Sequence, residues 1–201
     1  ALINFLAFLG WNPGTEQEIF TLEELIDTFS PERIHKSGAR FDFDKAKWFN
    51  QQYLMAASDE TLATEIQPII AERGWDAEPS YLAGVCGLMK ERVTFAREIP
   101  VEGYYFFEDV ALYDEAMIQK KWNPETAAHF KTLTALLLAF EPFEAEALES
   151  RTKEWLAANN LGFGVILPLF RLALAGTMKG PGVFQMMALF GPEKTASRMQ
   201  K

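Results

Sequence analysis

The chain holds 201 residues with a formal net charge of −9, room for one large domain or two to three small ones. It contains no run of about 18 apolar residues, which excludes a membrane-spanning helix. Its one cysteine, Cys86, has no partner for an internal disulfide, as expected of a chain kept in a reducing cytoplasm.

Taken in order, the segments read mostly as helices. ALINFLAFLGW has the apolar look of a signal-peptide core. It lacks a basic flank and a cleavage site, and the turn NPGT follows, so it reads as an amphipathic core helix. TLEELIDTFS pairs Thr21 with Glu24, a capping box. SPERI offers Ser30 as a cap and Pro31 at the first helical position. FDFDKAKWFNQQYLMAAS places Trp48, Tyr53 and Leu54 at helical spacing. Ser58 can cap DETLATEIQPIIAERG, whose Leu62, Ile66, Ile69 and Ile70 form an apolar stripe closed by Gly74. Further helices are expected from Pro79, from Asn123-Pro124, over EAEALESRTKEWLAANN, over GVILPLFRLALAG up to Gly176, and over GVFQMMALFG and PEKTASRMQ. VEGYYFFEDV is the best strand signal and reads as mostly extended or loop. The expected fold class is all-α, with boundaries near 55–58 and 110–114.

Charge is distributed unevenly. Residues 151–201 hold Arg151, Lys153, Arg171, Lys179, Lys194, Arg198 and Lys201 against Glu154 and Glu193, a net +5 that leaves −14 on the first 150 residues. Such asymmetry suggests a polyanion at one end, or only cations complementing helix dipoles. Catalytic signals are thin. His35 and His129 lie far apart, Cys86 sits in the small, apolar GVCGLM, and no phosphate-binding glycine motif is present. Acidic pairs such as Glu23 and Glu24 read as solvated helix faces. A free-standing enzyme is the weakest reading. The binding signals are better. Lys45, Lys47, Trp48, Asn50 and Tyr53 share one helix, where cations can meet phosphates and an amide or aromatic ring can touch sugar or base. Trp48 and Tyr53 as core beside solvated lysines is the plain alternative. Lys90, Arg92 and Arg97 cluster where another helix ends. Near the C-terminus, Arg171 stands beside TMKGPG, a glycine-proline-glycine loop that leaves backbone groups bare next to a fork of donors.

ALINFLAFLGWNPGTEQEIFTLEELI, FDFDKAKWFNQQYL, LMKERV and PLFRLALAGTMKGPGVFQMMALFG occur here in the order found in bacterial glutamyl-tRNA synthetases, and over essentially its whole length the chain resembles the C-terminal part of that family. The resemblance implies a class I aminoacyl-tRNA synthetase, a glutamate–tRNA ligase that uses ATP and Mg²⁺ in an N-terminal catalytic domain. The HIGH-type and KMSKS-type motifs of that domain are absent from this sequence. The part present is expected to bind no ATP and to activate no glutamate. It also implies a stem-contact domain over 1–55 and two helical anticodon-binding subdomains over 56–112 and 113–201. Lys45, Lys47, Trp48 and Asn50 would contact the tRNA stem. Arg92, Arg171, Gly180, Pro181 and Val183 would contact anticodon bases, with Arg92 reading the third. Arginine at position 92 resembles the discriminating members, which charge only tRNA-Glu. Where relatives often carry a polar residue, Gly180 leaves only backbone. A cytoplasmic monomer with tRNA-Glu and the catalytic domain as partners is expected. The alternative is an all-helical protein–protein scaffold without a nucleic-acid role.

Overall fold

A computed structural model of the chain describes residues 1–35, 38 and 40–200. Eleven α-helices and no strands occur among them, so the all-α expectation holds. They are α1 (Leu2–Gly10), α2 (Leu22–Thr28), α3 (Phe43–Ala56), α4 (Asp59–Glu72), α5 (Pro79–Met89), α6 (Ile99–Glu102), α7 (Glu115–Lys121), α8 (Pro124–Leu138), α9 (Ala145–Ala158), α10 (Phe163–Ala175) and α11 (Val183–Met199). Short 3₁₀ turns fill several joints, among them Lys90–Arg92 and Tyr104–Phe106.

The caps follow from the side chains at the boundaries. Thr21 and Glu24 close the capping box of α2. The Asp42 carboxylate accepts from the amides of Asp44 and Lys45 at the start of α3. Ser58 accepts from Thr61 N, and Asn123 from Glu125 N and Thr126 N. Each satisfies a donor that the first helical turn leaves bare. Pro31 starts only a 3₁₀ turn, Pro31–Arg33, without a side-chain cap from Ser30. At the far end of α10, Gly176 adopts φ +72°, and a Cβ there would stand 2.4 Å from the Leu112 carbonyl and from Val110 Cγ1. Only glycine fits this left-handed, crowded position. Its carbonyl accepts from Asp114 N at 2.9 Å, which seats the 110–114 stretch on the end of α10.

Two apolar clusters form. A small one gathers Trp11, Phe20 and Leu25 under Ala7 and Phe8. A large one runs continuously from Leu54 to Met199, with Ile66, Leu82, Ile99, Phe106, Leu133 and Phe170 at its centre. Asn4, 1% exposed, stitches the N-terminal piece together. Its amide donates to the Glu18 carbonyl, and its oxygen accepts from Phe20 N and from the Tyr53 hydroxyl on α3. A buried amide needs all of these partners.

Three expectations are corrected. VEGYYFFEDV is not extended. It forms α6 and the Tyr104–Phe106 turn, because Pro100 and Gly103 set tight turns and the fold draws Tyr105 and Phe106 fully inside. The first helix does form, but it is not a core helix. Only Asn4 and Phe5 are buried, while Leu2, Ile3 and Leu6 are exposed, as are Leu22 and Ile26 on α2. The basic C-terminal third is not a basic surface. Arg198, 2% exposed, donates to the carbonyls of Leu174, Tyr105 and Glu108, with Asp109 at 3.6 Å. Half-buried Lys194 donates to Phe106 O and the Tyr81 hydroxyl. Arg151 pairs with Glu154 and Lys153 with Glu149. Lys201, also counted in that charge, lies outside the described residues. Arg198 and Lys194 thus spend donors on the fold itself, while Arg151 and Lys153 make exposed pairs along α9. Arg171 and Lys179 are the basic residues of 151–200 placed at the glycine-rich loop.

Candidate nucleic-acid interface

Arg171 projects from α10 toward the loop 177–182, which links α10 to α11. The loop carries few bonds of its own: Lys179 N donates to Thr177 Oγ1, and Gly182 N to Gln185 Oε1. Pro181 is buried, and Gly180 sits at φ +131°. A Cβ on Gly180 would come 2.7 Å from the Tyr105 hydroxyl and 3.4 Å from Arg171 Nη1, so the loop backbone lies directly against both side chains. Arg171 Nη1 is buried and has no hydrogen-bond partner. A buried donor without a partner in the chain is costly and is open to an acceptor from a ligand or from water. Burial, and secondarily the charge of Arg92, push the guanidinium below its ordinary pKa, while Tyr105 acts the other way.

Beside this point opens a cavity of about 580 Å³, lined by Phe163, Leu167, Arg171, Met178, Val183 and Phe184 among others. Val183, 5% exposed, is the first residue of α11 and presents little of its side chain. The cavity therefore combines apolar walls, a guanidinium, the Glu149 carboxylate at its edge and the N-terminal end of α11, a helix that is broken by a kink at Gly191. A flat ring with acceptors on its edge suits that combination.

Arg92 ends the 3₁₀ turn that continues α5. Its Nη1 donates back to Leu88 O at 3.1 Å, and Glu91 lies at 4.0 Å. The side chain is 38% exposed. A guanidinium carries five N–H donors, so this helix-end bond leaves others available. Arg92 and Arg171 come from distant parts of the sequence, yet both bear on the charge of the Tyr105 phenol. The fold thus brings the two arginines around one aromatic residue.

The four residues on α3 divide. Lys45 pairs with Glu18 at 2.9 Å and stands about 6 Å from the Phe8 and Phe49 ring centres. Lys47 is exposed and only loosely paired, 3.8 Å from Asp44. Trp48 is partly exposed and meets Phe49 edge-on. Asn50 is half-buried, and its amide donates to the Thr94 carbonyl. At about 100° per residue, Lys45 and Lys47 point to different faces of the helix. Lys90 anchors the end of α3 to the turn that carries Arg92, donating to Ala57 O and pairing with Asp59 at 2.9 Å. Among the residues missing from the sequence reading are Tyr105, hidden in a segment taken for extended chain, and the cavity walls Phe163, Met178 and Phe184, whose apolar character reads as ordinary core.

Cys86 is fully buried, and burial pushes its thiol up to about 12, as a structural cysteine behaves. His129 is half-buried on α8, where it stacks edge-on with Trp155. Among the described residues, no three His, Cys, Asp or Glu side chains converge as a metal site. No described helix is long and apolar enough to cross a membrane.

Comparison with known proteins places the family and the fold. The family model described as "Anticodon binding domain" matches residues 61–201. The glutamate–tRNA ligase of Flavobacterium johnsoniae is 42% identical over 201 residues, all of this chain and 40% of that protein. That of Porphyromonas gingivalis is 40% identical over the same share. The chain thus spans about two fifths of the length of the curated relatives it matches. Among solved structures, a glutamate tRNA ligase from Elizabethkingia meningosepticum in complex with its amino acid superposes with a TM-score of 0.91 at 38% identity, covering 99% of this chain and 39% of that one. The glutamate-tRNA synthetase of Elizabethkingia anophelis gives 0.88 at 36%. The chain belongs to the anticodon-binding-domain family.

Proposed function

We propose that this chain binds tRNA-Glu and reads its anticodon as the C-terminal part of a discriminating glutamate–tRNA ligase. In this reading residues 1–55 contact the tRNA stem, with Lys47 and Trp48 as the free groups of the α3 set and Lys45 and Asn50 as its anchored ones. Residues 56–112 and 113–201 are two subdomains that together hold the anticodon, through Arg92 on one and Arg171, Gly180, Pro181 and Val183 on the other.

The chemistry supports those roles. Glutamate anticodons are pyrimidine-U-C, and a cytosine edge offers O2 and N3 as acceptors for a guanidinium. Guanine presents N–H donors there instead and leaves an arginine unmatched. The loop 177–182 offers backbone rather than side-chain contacts at Gly180. The observation that carries the reading is the buried, unpartnered Nη1 of Arg171 against that loop.

Ligation of glutamate would belong to the rest of such a ligase. In this reading ATP and Mg²⁺ are held by the rest of the ligase; no three His, Cys, Asp or Glu side chains converge among the described residues of this chain. No step through those groups is assigned to this chain. The exposed apolar face of Leu2, Ile3, Leu6, Leu22 and Ile26 supports the catalytic domain as a partner, since a patch of this kind marks an interaction surface. A cytoplasmic monomer fits the same reading. The scaffold alternative has no comparable observation behind it.

The test is titration of the chain with tRNA-Glu at two salt concentrations, for the unmodified protein and for Arg171→Ala. Binding should weaken as salt rises, and the variant should lose about 1–3 kcal/mol of affinity while keeping its helical content. A folded variant that binds tRNA as well as the unmodified chain refutes the role of Arg171. Absence of any salt-dependent binding refutes the reading altogether.

A further inference from the structure

Tyr105 carries a hydroxyl where packing alone asks for none. It is 1% exposed, and its ring touches those of Tyr104 and Phe106. A phenylalanine would fill the same space. The hydroxyl donates to Met89 Sδ at 3.7 Å, a weak bond to a weak acceptor. Its oxygen and Arg171 Nη1 both close on the point where a Gly180 Cβ would stand, at 2.7 and 3.4 Å. Tyr105 and Arg92 bear on the charge of Arg171, while the carboxylate lining the same cavity, Glu149, pairs with Lys153 at 2.8 Å.

We infer that Tyr105 is a positioning residue for Arg171, acting through the neutral dipole of its phenol and through the contact it makes with the backbone at Gly180. The inference rests on the reading of Arg171 as an anticodon contact. The choice of a phenol has a physical reason. A carboxylate would hold the guanidinium more firmly, but it would cancel its charge and occupy its donors. A phenol whose hydrogen is turned toward Met89 favours the cation through its dipole without hydrogen-bonding Nη1, and so leaves both charge and donor for the ligand. Burial pushes the phenol up to about 12, so it stays neutral in ordinary buffers despite two nearby arginines. Met89 directly precedes the turn that ends in Arg92. One side chain thus sits between the elements that present both arginines.

The experiment is a double-mutant cycle on the whole chain, with tRNA-Glu affinity as the readout and thermal unfolding as the control. Tyr105→Phe should lower affinity about three- to tenfold with the melting midpoint nearly unchanged, the size expected for one lost hydrogen-bonding group. In the Arg171→Ala background the same change should have almost no effect, because the side chain it positions is gone. A merely structural tyrosine would cost the same in both backgrounds, and that result overturns the inference. So does an unchanged affinity in Tyr105→Phe when Arg171→Ala alone binds weakly, a result that leaves the role of Arg171 standing. If Arg171→Ala alone binds normally, the underlying reading fails, and this inference with it.

Discussion

Arg198 donates from Nη2 to the carbonyl of Tyr105 at 3.0 Å, so the last turn of the final helix holds the 3₁₀ turn that carries the phenol between Arg92 and Arg171. The same side chain takes up the carbonyls of Leu174 and Glu108. A cation buried this deeply is tolerated because three of its donors go to main-chain oxygens and its Nε lies 3.6 Å from the Asp109 carboxylate. Arg198→Ala should therefore destabilise the chain by about 2–5 kcal/mol, since two buried carbonyls and one partly buried one lose their donors at once. Urea unfolding measures this. A loss below about 1 kcal/mol would mean that water reaches those carbonyls freely.

Lys194 gives a pH signature. Burial first, and then the neighbouring Arg198 charge, push its ammonium down to about 8, against an opposing pull from Asp109. The unfolded chain holds that proton to about pH 10.4. Between these values the unfolded state binds more protons, so this group adds stability as pH rises from about 8 to 10. Cys86 acts the other way in the same window. Its thiol is pushed up to about 12 by burial, while an unfolded thiol ionises from about 8.5 and draws the chain toward unfolding. Comparison of variants separates the two. Relative to the unmodified chain, Lys194→Met should lose the alkaline gain, and Cys86→Ala should lose the alkaline fall. Unfolding free energies at pH 7, 8.5 and 9.5 test both signs.

Helix boundaries were legible in the sequence wherever a short polar side chain or a proline stood at the right place. Thr21, Ser58 and Asn123-Pro124 all start helices where expected, and Gly176 ends α10. The helix Glu115–Lys121 was missed just after the 110–114 boundary, although Asp114 caps it. VEGYYFFEDV was misread because aromatic residues favour strands locally, whereas here the core dictates their conformation. Net charge misled for a related reason. A basic residue contributes +1 to a count whether it faces solvent, as Lys47 does, or three carbonyls, as Arg198 does. Arg171 was legible as a candidate, but the phenol beside it was not, because the meeting of Tyr105 with Gly180 is wholly tertiary.

That difference between counted and available charge predicts unequal lysines on α3. Lys45 is held by Glu18 and by two aromatic rings, while Lys47 has only a loose, exposed contact with Asp44. An exposed pair of that kind contributes little and yields to a phosphate. Lys47→Ala should lower tRNA affinity more than Lys45→Ala, and should flatten the slope of log affinity against log salt by about one unit at most. Equal slopes for Lys47→Ala and the unmodified chain would leave Lys47 as a solvated lysine.

In the proposed reading specificity rests on Arg92, whose bond to Leu88 O leaves donors free at the helix end. Arginine offers donors only, so it suits the O2 and N3 acceptors of a cytosine and is left unmatched against the N–H donors of a guanine. Glutamine carries both a donor and an acceptor, and its amide can turn to meet either base. Arg92→Gln, placed in a full-length ligase carrying this chain, should therefore narrow the preference for anticodons ending in C over those ending in G. The cognate tRNA should lose little, because the proposed phosphate contacts, which as a class supply much of such affinity, would be untouched. The measurement is the ratio of kcat/KM values for two tRNAs that differ only at that base. A fall of about tenfold or more in the ratio corresponds to the loss of one well-made base contact. If the ratio stays as large as in the unmodified enzyme, Arg92 does no more than close the end of its own helix.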